Sequence, residues 1–471
     1  MNLPDLNKAR SRQEDFGFKE YKFNPEFKDL GKNKHYFLRT YGCQMNEHDS
    51  ENIKGLLEQI GYTETDDLDN ADLVILNTCS IRENAHNKAF GMLGRIKHLK
   101  EKTNKNIVTA ICGCMAQEPV VCEEIKSKYK FVNFVFGTHN IYELPELIND
   151  AEKINKTNFQ VYSYVGDVIE DIPVVRDSKY KAWVNIQFGC DKFCTYCIVP
   201  YTRGKQRSRK MNEILEECKD LKEQGYQEIT LLGQNVNAYG KDLDEGKTLA
   251  DLLKEVAKLG IPRIRFVTSH PWDFTDEMIE IIKEYDNIMP YIHLPLQSGS
   301  SRILKLMNRR YTSESYKELF DKIKEIPNVT VTTDIIVGFP GETEEDFQET
   351  LDMVNYCKYD GAYTFIFSPR VGTPGEKLEE EMGVPQDIKE ERLQRLNEIV
   401  NKYYLESNQK MLNREELVLV DGLSTKENEL CGYTENNKLV NFNGSEDLIG
   451  KIVKVKITDA KSFSLDGELS E

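Results

Sequence analysis

From His35 to about residue 152, the chain alternates short apolar runs with amphipathic segments. KHYFLRTYGC leads to Cys43, ADLVILNTC to Cys79 and NIVTAICGCMAQ to Cys114, and helical patterns such as SENIKGLLEQIGY follow. Alternating strands and helices predict a parallel sheet with right-handed crossovers. Ligands of such sheets bind beyond the carboxyl ends of the strands. Because each cysteine follows a strand, the three are able to meet at one edge of the sheet.

A second alternation begins near Lys181. Helical patterns such as TLADLLKEVAKLG separate six strand-like runs: WVNIQF, EITLLG, RIRFVT, YIHLPL, VTTDIIVGF and AYTFIFS. Six βα units are two fewer than a complete TIM barrel contains, so we expect a partial (β/α)6 barrel. A charged helical pattern and then five short strands follow, and those strands predict a small OB-like β-barrel.

These patterns divide the chain into four segments and place it in the α/β class. Residues 1–32 are polar and aperiodic, which predicts a flexible extension, and a parallel α/β domain is expected over 33–152. The partial barrel is expected over 176–406 and the small β-barrel over 409–471.

Composition adds a cellular setting. Neither a signal peptide nor a membrane-spanning run is apparent in the 471 residues, which predicts a cytoplasmic protein with no membrane partner. Thiols stay reduced there, so eleven cysteines indicate metal or redox chemistry better than disulfides. The formal charge of −17 argues against non-specific coating of nucleic acid. The charge does not exclude recognition of a nucleic acid at one local site, because such binding depends on the few cations that contact phosphate.

Three cysteines at the start of the barrel segment, Cys190, Cys194 and Cys197, have the spacing C-x3-C-x2-C. A zinc site normally has four protein ligands, and the helical pattern around Cys218 favours a packed thiol over a fourth ligand. Three thiolates suit a [4Fe–4S] cluster with one iron open to a small molecule. Zinc and inert cysteines are the alternatives.

Cys43, Cys79 and Cys114 form a second candidate site. Dispersed cysteines alone are weak evidence for a metal, because free cysteine packs readily as a small hydrophobic residue. Their shared position after strands, in polar and Gly-rich surroundings, favours a metal site. The spacing leaves the ligand within CGC open. Cys112 should point into the sheet and Cys114 lies beyond it, so we choose Cys114.

The basic run TRGKQRSRK follows the barrel cysteines closely. Most charge runs are solvated loops. This one lies at the mouth of the expected barrel site, which favours contact between RNA phosphates and Arg203, Lys205 and Arg207. RNA loops are common targets of such recognition, because their bases can be splayed out and stacked.

The cysteine motif, with Tyr196 before its last cysteine, resembles that of the radical S-adenosylmethionine (SAM) superfamily. From about residue 33 to 471, the chain resembles the methylthiotransferases, which have an N-terminal cluster domain, a radical SAM barrel and a TRAM domain. LLGQNVNAYG, RIRFVTSHP, HLPLQSGS and TDIIVGFPGET are similar to motifs of the MiaB-type subgroup, which modifies tRNA.

The resemblance implies two [4Fe–4S] clusters. Cys190, Cys194 and Cys197 would hold the cluster that binds SAM. The second group, Cys43, Cys79 and Cys114, would hold an auxiliary cluster that carries or donates sulfur. The implied activity adds a methylthio group to C2 of N6-(dimethylallyl)adenosine at position 37 of tRNA. SAM is then both radical source and methyl donor. The implied partners are the tRNA anticodon loop and an electron donor such as a flavodoxin or ferredoxin system, and the family suggests a monomer.

Polar residues at other strand ends, together with Tyr196, are candidates for contact with SAM: Gln234, Asn235, Gln297 and Asp334. Radical SAM enzymes usually carry a Gly-Gly-Glu-like segment after the second strand, and LLGQN replaces it here. The alternative role of these residues is to tie loops together. We expect His270 and His293 to be hydrogen-bonded structural residues.

Other functions stay open at this point. Two share the chemistry, with N6-threonylcarbamoyladenosine in tRNA or an aspartate of a ribosomal protein as the substrate. LLGQNVNAYG and TSHP favour dimethylallyladenosine, and the basic run favours RNA over protein. A third, from another class, is a non-catalytic RNA-binding protein with structural zinc.

Overall fold

The structure, a computed structural model, describes residues 16–80, 83–151, 153, 157–162, 166–426 and 429–470. The chain forms two compact units. The N-terminal unit comprises Met1–Asp177, Gln187–Phe193 and Cys197–Arg207, and the C-terminal unit comprises Ser178–Ile186, Cys194–Tyr196 and Ser208–Glu471. Within the described ranges, no helix has both the length and the apolar composition that crossing a membrane requires.

Alternating strands and helices build the N-terminal unit. In chain order they are β1 Phe18–Glu20, β2 His35–Tyr41, α1 Gln44–Gln59, β3 Thr63–Glu64, β4 Leu73–Thr78, α2 Glu83–Thr103, β5 Val108–Cys112, α3 Pro119–Lys128, β6 Phe134–Phe136, α4 Leu144–Ala151, β7 Asn158–Gln160 and β8 Val168–Glu170. Strands β3-β2-β4-β5-β6-β7 form one parallel sheet in that order. Every residue of β4 is buried, as expected of a central strand that is covered on both faces.

Helices cover the two faces of this sheet. Ile53 of α1 and Leu147 of α4 pack against one face, and Leu93 of α2 and Ile125 of α3 pack against the other. The predicted parallel α/β fold is therefore confirmed. Its central strands β2, β4 and β5 are neighbours, so their carboxyl ends lie side by side.

The N-terminal extension differs from the expectation. Residues 1–15 lie outside the described part of the chain, but β1 pairs in parallel with β8. Phe23, Phe27 and Leu30 pack against the core of the sheet. Residues 16–32 thus adopt a defined structure where flexible chain was predicted. Their few apolar side chains pack against the core, but the spacing of these side chains is irregular and therefore gives no periodic signal in the sequence.

The partial barrel follows. From β9 onward the chain runs β9 Lys181–Asn185, β10 Gln187–Phe188, α5 Val199–Thr202, β11 Arg207–Ser208, α6 Met211–Glu223, β12 Glu228–Leu232, α7 Leu249–Lys258, β13 Arg263–Phe266, α8 Asp276–Glu284, β14 Tyr291–His293, α9 Ser301–Leu306, α10 Ser313–Lys324, β15 Thr330–Val337, α11 Glu344–Cys357, β16 Gly361–Ile366, α12 Pro374–Met382 and α13 Gln386–Gln409. Elements β10 and α5 belong to the N-terminal unit. In the C-terminal unit, β9-β12-β13 and β14-β15-β16 form parallel sheets, and a parallel bridge from Ile264 to Ile288 extends the first toward the second. The six predicted barrel strands are confirmed.

Side chains alternate between two faces of these strands. Ala182, Ile229, Ile264 and Val331 belong to an apolar core that includes residues of the surrounding helices. The alternate positions form the inner face of the barrel, which is largely polar: Asn185, Thr230, Arg265, His293, Thr332 and Asp334.

Five strands form the C-terminal β-barrel. They are β17 Glu415–Leu423, β18 Glu429–Thr434, β19 Leu439–Asn443, β20 Ile452–Ala460 and β21 Leu465–Leu469. The barrel closes in the order β17-β18-β19-β21-β20, which confirms the predicted small β-barrel. Two arginines of β13 fasten it to the partial barrel. Arg263 donates to the Tyr433 carbonyl at 2.8 Å, and Arg265 to the Thr434 carbonyl at 2.9 Å.

Candidate iron–sulfur sites

Three cysteines of the N-terminal unit lie at the carboxyl ends of neighbouring strands. Cys43 follows β2, Cys79 follows β4, and Cys114 follows β5 after Gly113. Gly113 has a φ of +89°, and a Cβ there would lie 2.4 Å from the side-chain oxygen of Asn77, so this turn requires glycine. The Cys43 and Cys79 thiols are hydrogen-bonded to each other. The sheet thereby brings together residues that are distant in sequence.

The two cysteines of CGC have different surroundings. Cys112 belongs to the apolar core beneath α1 and α4, where burial raises its pKa well above the ordinary value. Cys114 lies beyond the strand, and Arg203 donates from Nε to its Sγ at 3.0 Å. Of the two, Cys114 has the polar setting that a metal ligand needs.

Arg203 is the buried cation of this group. Only 4% of its surface is exposed, and its Nη2 donates to Asp49 Oδ2 at 2.6 Å. Burial alone would lower the pKa of Arg203, but Asp49 and Cys114 outweigh burial and raise it well above the ordinary value. A buried guanidinium is costly unless anions face it. Arg203 therefore lies where it would compensate the charge of a Cys114 thiolate once a metal displaces the thiol proton.

The cysteine pKa values shift in opposite directions. The hydrogen bond with Cys79 is the largest cause that lowers the pKa of Cys43, and the charge of Arg203 lowers it further. Burial raises the pKa of Cys114 to about 11, although Arg203 opposes that effect. Metal binding requires deprotonated thiols, and Arg203 is placed to compensate their charge.

The C-x3-C-x2-C segment is shared between the units. Cys190 and Cys197 belong to the N-terminal unit and Cys194 to the C-terminal unit. In the N-terminal unit, the Cys190 amide donates to the Gly204 carbonyl at 3.1 Å, which fixes the start of this segment. Among the described residues, no three or more His, Cys, Asp or Glu side chains lie close enough together to hold one metal ion.

Cys194 also contacts a buried arginine. Arg309 Nη1 donates to Cys194 Sγ at 3.3 Å and to His270 Nε2 at 2.8 Å. Arg309 is 8% exposed, and the amide of Thr195 donates to the Met307 carbonyl at 3.0 Å, which anchors the main chain beside the cysteine. As at Cys114, a buried cation faces the sulfur, which is the donor chemistry that a cluster with thiolate ligands requires.

The basic run is less exposed than the expected contact with RNA phosphates requires. Arg203 is engaged by Cys114 and Asp49, as described above. Arg207 is 5% exposed, and its guanidinium donates to the carbonyls of Gly166 and Arg203, each at 3.3 Å. Lys205 is partly exposed. Contact between Lys205 and RNA stays a prediction, whereas the two arginines bind within the protein, because burial requires that each guanidinium find acceptors there.

The predicted SAM-contacting residues all lie in the C-terminal unit. Gln234 and Asn235 follow β12, and Asn235 donates to Asp273 Oδ2 at 2.7 Å. The buried Oδ1 of Asn235 accepts no hydrogen bond from the described residues. The backbone N–H of Gln297 donates to the backbone carbonyl of Asp334 at 2.8 Å, so these two residues are neighbours. The Tyr196 ring packs edge-on against Phe339. Contact with SAM stays a prediction for all five.

Two loops at this end of the barrel hold strained backbone. Thr268, after β13, and Gln297, after β14, both have a φ of +68°. This left-handed conformation is an outlier for a β-branched residue such as Thr268. Strained residues persist where the surroundings hold them, often at functional sites. His270 and His293 are hydrogen-bonded, as expected, to Arg309 and to Thr332.

Sequence reasoning missed Asp49 and Arg309. One signal for Asp49 was available: the first turns of α1 are strongly polar, yet Asn46, Asp49, Glu51 and Asn52 are buried. A polar run at a helix start directly after a cysteine indicates a buried polar site rather than a solvated face. For Arg309, within MNRRYT, we find no comparable signal.

Comparisons with known proteins agree with this architecture. A model for the Radical SAM superfamily matches residues 184–354, one for the Uncharacterized protein family UPF0004 matches 35–137, and one for the TRAM domain matches 409–470. Among solved structures, the radical S-adenosylmethionine methyltransferase TsrM from Kitasatospora setae is similar in fold. Its TM-score is 0.53 at 14% identity, over 74% of this chain and 78% of that chain.

Curated relatives are similar over nearly the whole length. A protein of Bacillus subtilis (strain 168), named tRNA-2-methylthio-N(6)-dimethylallyladenosine synthase, is 52% identical over 471 residues, which cover 99% of this chain and 92% of that protein. A protein with the same name from Staphylococcus epidermidis (strain ATCC 35984) is 51% identical over 469 residues, which cover 98% of this chain and 91% of that protein.

Proposed function

The chain belongs to the family of tRNA-2-methylthio-N(6)-dimethylallyladenosine synthases, and we propose that it adds a methylthio group to C2 of N6-(dimethylallyl)adenosine at position 37 of tRNA. It is a radical SAM enzyme, so SAM and a [4Fe–4S] cluster are its cofactors. The finer proposal concerns two clusters and their ligands: Cys190, Cys194 and Cys197 for the SAM-binding cluster, and Cys43, Cys79 and Cys114 for an auxiliary one.

The observation that carries the auxiliary cluster is the contact of Arg203 with Cys114. A cysteine that only fills an apolar core packs as a small hydrophobic residue and needs no charged group beside it. A buried guanidinium that donates to a cysteine sulfur, among three cysteines at adjacent strand ends, supports a group of thiolate ligands.

The protein's own residues position and shield the reactants. Clusters and SAM, when bound, supply the one-electron and sulfur chemistry that the unreactive C2–H of adenine requires. Arg203 and Arg309 would stabilise thiolates in their respective units. The buried Asn235 Oδ1 is an acceptor available to the amino group of SAM. The barrel wall would exclude water from the reacting atoms.

The proposal includes the partners. The substrate is tRNA, and the anticodon loop is the part that would enter, with Lys205 as a phosphate contact. A flavodoxin or ferredoxin system would supply electrons to a monomeric enzyme in the cytoplasm.

The decisive experiment is mass spectrometry of tRNA nucleosides from cells that lack the protein. We expect the 2-methylthio-N6-dimethylallyl nucleoside to disappear and its unthiolated precursor to accumulate. Complementation with the intact gene should restore it, whereas a Cys194→Ala gene should not. Persistence of the nucleoside would reject the activity. Loss of a methylthiolated threonylcarbamoyl nucleoside instead would identify the related substrate.

Metal analysis tests the ligand assignment. Two [4Fe–4S] clusters correspond to about eight irons per chain with matching sulfide. The triple variant Cys43→Ala/Cys79→Ala/Cys114→Ala should keep about four irons, and Cys218→Ala, the matched control, should keep all of them. Stoichiometric zinc without iron would instead favour the non-catalytic RNA-binding alternative.

A further inference from the structure

Two aromatic side chains are exposed on an edge strand of the partial barrel. Tyr363 is 53% exposed and Phe365 43% exposed, and both lie on β16. Among the described strands, β16 pairs with β15 alone, so it borders the open side of the barrel. Large aromatic residues rarely remain this exposed next to each other unless they bind something.

The register of β16 shows which face these rings occupy. Ala362 and Ile366 pack against the core shared with the helices, and Thr364 donates to Asn397 of α13 at 2.6 Å. Because side chains alternate along a strand, Tyr363 and Phe365 point to the opposite, inner face.

Polar groups lie beside the rings. Tyr363 is paired with Asp334 in the adjacent strand, and its ring lies 5.9 Å from that of His293, edge to face. His293 Nδ1 is 3.0 Å from Thr332 Oγ1 and its Nε2 is 3.3 Å from Asp334 Oδ2, so its ring is held in place. We name the group Tyr363, Phe365, His293 and Asp334 the aromatic shelf.

This combination suits an adenine that carries an apolar substituent. Proteins that bind unpaired bases stack them on aromatic rings, and imidazole and carboxylate groups bind the edges of a base. Residues i and i+2 of a strand are about 7 Å apart, which leaves one ring for the base and one for its substituent. A substituent that carries a carboxylate would meet Asp334, and juxtaposed like charges oppose binding.

We propose that the aromatic shelf binds the N6-(dimethylallyl)adenine base, and that Tyr363 and Phe365 select the dimethylallyl group over both an unmodified amine and a threonylcarbamoyl group. The inference rests on the proposed function for the identity of the substrate. It adds the residues that recognise the base and the reason why an apolar N6 substituent is preferred.

Binding of anticodon stem-loop RNAs tests the proposal. The full-length, cluster-loaded protein is titrated with RNAs that carry adenosine, N6-(dimethylallyl)adenosine or N6-threonylcarbamoyladenosine at position 37, and Kd is measured by fluorescence anisotropy. The variants are Tyr363→Leu, Phe365→Leu and Tyr363→Phe. Leucine keeps apolar volume on the strand but removes the ring. Tyr356→Leu is the matched control, since Tyr356 is 49% exposed on α11 and bonded to Asp321.

We expect the wild type to bind the dimethylallyl RNA more tightly than the other two. Either leucine variant should weaken that binding by about fivefold to a hundredfold, the range for loss of one base–aromatic stack. Binding of the unmodified RNA should change less. Tyr363→Phe and Tyr356→Leu should bind as the wild type does, and iron content should be equal throughout.

The outcomes separate the inference from the proposed function. If the wild type prefers the dimethylallyl RNA and both leucine variants keep that preference, the shelf is overturned while the activity stands. If the wild type shows no preference and does not methylthiolate this RNA, the proposed function fails. A leucine variant that binds all three RNAs equally poorly has lost general RNA affinity, and that result also rejects the proposed selectivity.

Discussion

The contact between Arg203 and Asp49 should dominate the local stability of the N-terminal unit. Both side chains are only 5% exposed and their charged atoms are 2.6 Å apart. Arg203→Met keeps much of the apolar stem and removes the guanidinium, which leaves the Asp49 carboxylate buried without its cation. Removal of one partner of a buried ion pair costs about 3–5 kcal/mol.

Hydrogen exchange of α1 measures this effect, because Asp49 lies within that helix. In the cluster-free protein, amides of α1 should exchange roughly two to four orders of magnitude faster in Arg203→Met, since exchange follows the equilibrium for opening. Trp183 and Trp272, the only tryptophans, both lie in the C-terminal unit. Their fluorescence should report unchanged urea unfolding there and serves as an internal control.

Two further variants show whether burial is the cause. Arg203→Met/Asp49→Leu removes both charges and should cost less than the sum of the single variants, with a coupling of about 0.5–3 kcal/mol. Arg39→Met removes the exposed pair with Asp66, 3.5 Å apart, and should change stability by about 0–1 kcal/mol. Exchange in α1 of Arg203→Met at the wild-type rate would refute the reasoning.

Three other predictions concern further groups. Burial lowers the pKa of Lys438 to about 8 from 10.5. Between these two values the unfolded chain binds the proton more tightly than the folded chain does, so the free energy of unfolding should rise from about pH 8 toward pH 10.5. Lys438→Met should remove this rise in urea titrations followed by tryptophan fluorescence. Arg263→Met removes hydrogen bonds to the carbonyls of Tyr433 and Leu417, so exchange in β17 and β18 should accelerate while the inner strands of the partial barrel stay protected. Lys205→Ala should weaken binding of tRNA and reduce the dependence of log Kd on log salt by about one, whereas Lys219→Ala, an exposed lysine on α6, should leave that slope unchanged.

The strand pattern was readable from the sequence because it depends on local periodicity. The apolar run before each cysteine became a parallel strand, and the six runs from WVNIQF to AYTFIFS became barrel strands. The common location of the three cysteines could be predicted as well, because adjacent strands of a parallel sheet have their carboxyl ends at the same edge.

The partners of charged residues were not readable in this way. Arg203 and Asp49 are 154 positions apart, and Arg265 and Thr434 are 169 apart. A basic run predicts cationic surface only if its side chains stay in solvent, and sequence alone does not show which guanidinium will meet a distant carboxylate. The burial of Arg203 and Arg207 is a consequence of tertiary packing.

The two arginine–cysteine contacts differ in one respect that should appear in electrochemistry. The Asp49 carboxylate accepts a hydrogen bond from Arg203 and compensates its positive charge. Arg309 instead donates to Nε2 of His270. That nitrogen carries no proton when it accepts the bond, so the imidazole does not compensate the charge of Arg309. Uncompensated positive charge and hydrogen bonds to cluster sulfur raise the reduction potential, because they stabilise the added electron. We therefore expect the cluster proposed at Cys194 to have a higher reduction potential than the auxiliary cluster proposed at Cys114, in redox titrations followed by electron paramagnetic resonance. Asp49→Asn should raise only the reduction potential of the auxiliary cluster proposed at Cys114, and so reduce the difference between the two potentials. If it leaves both potentials unchanged, the charge of Arg203 does not act on that cluster.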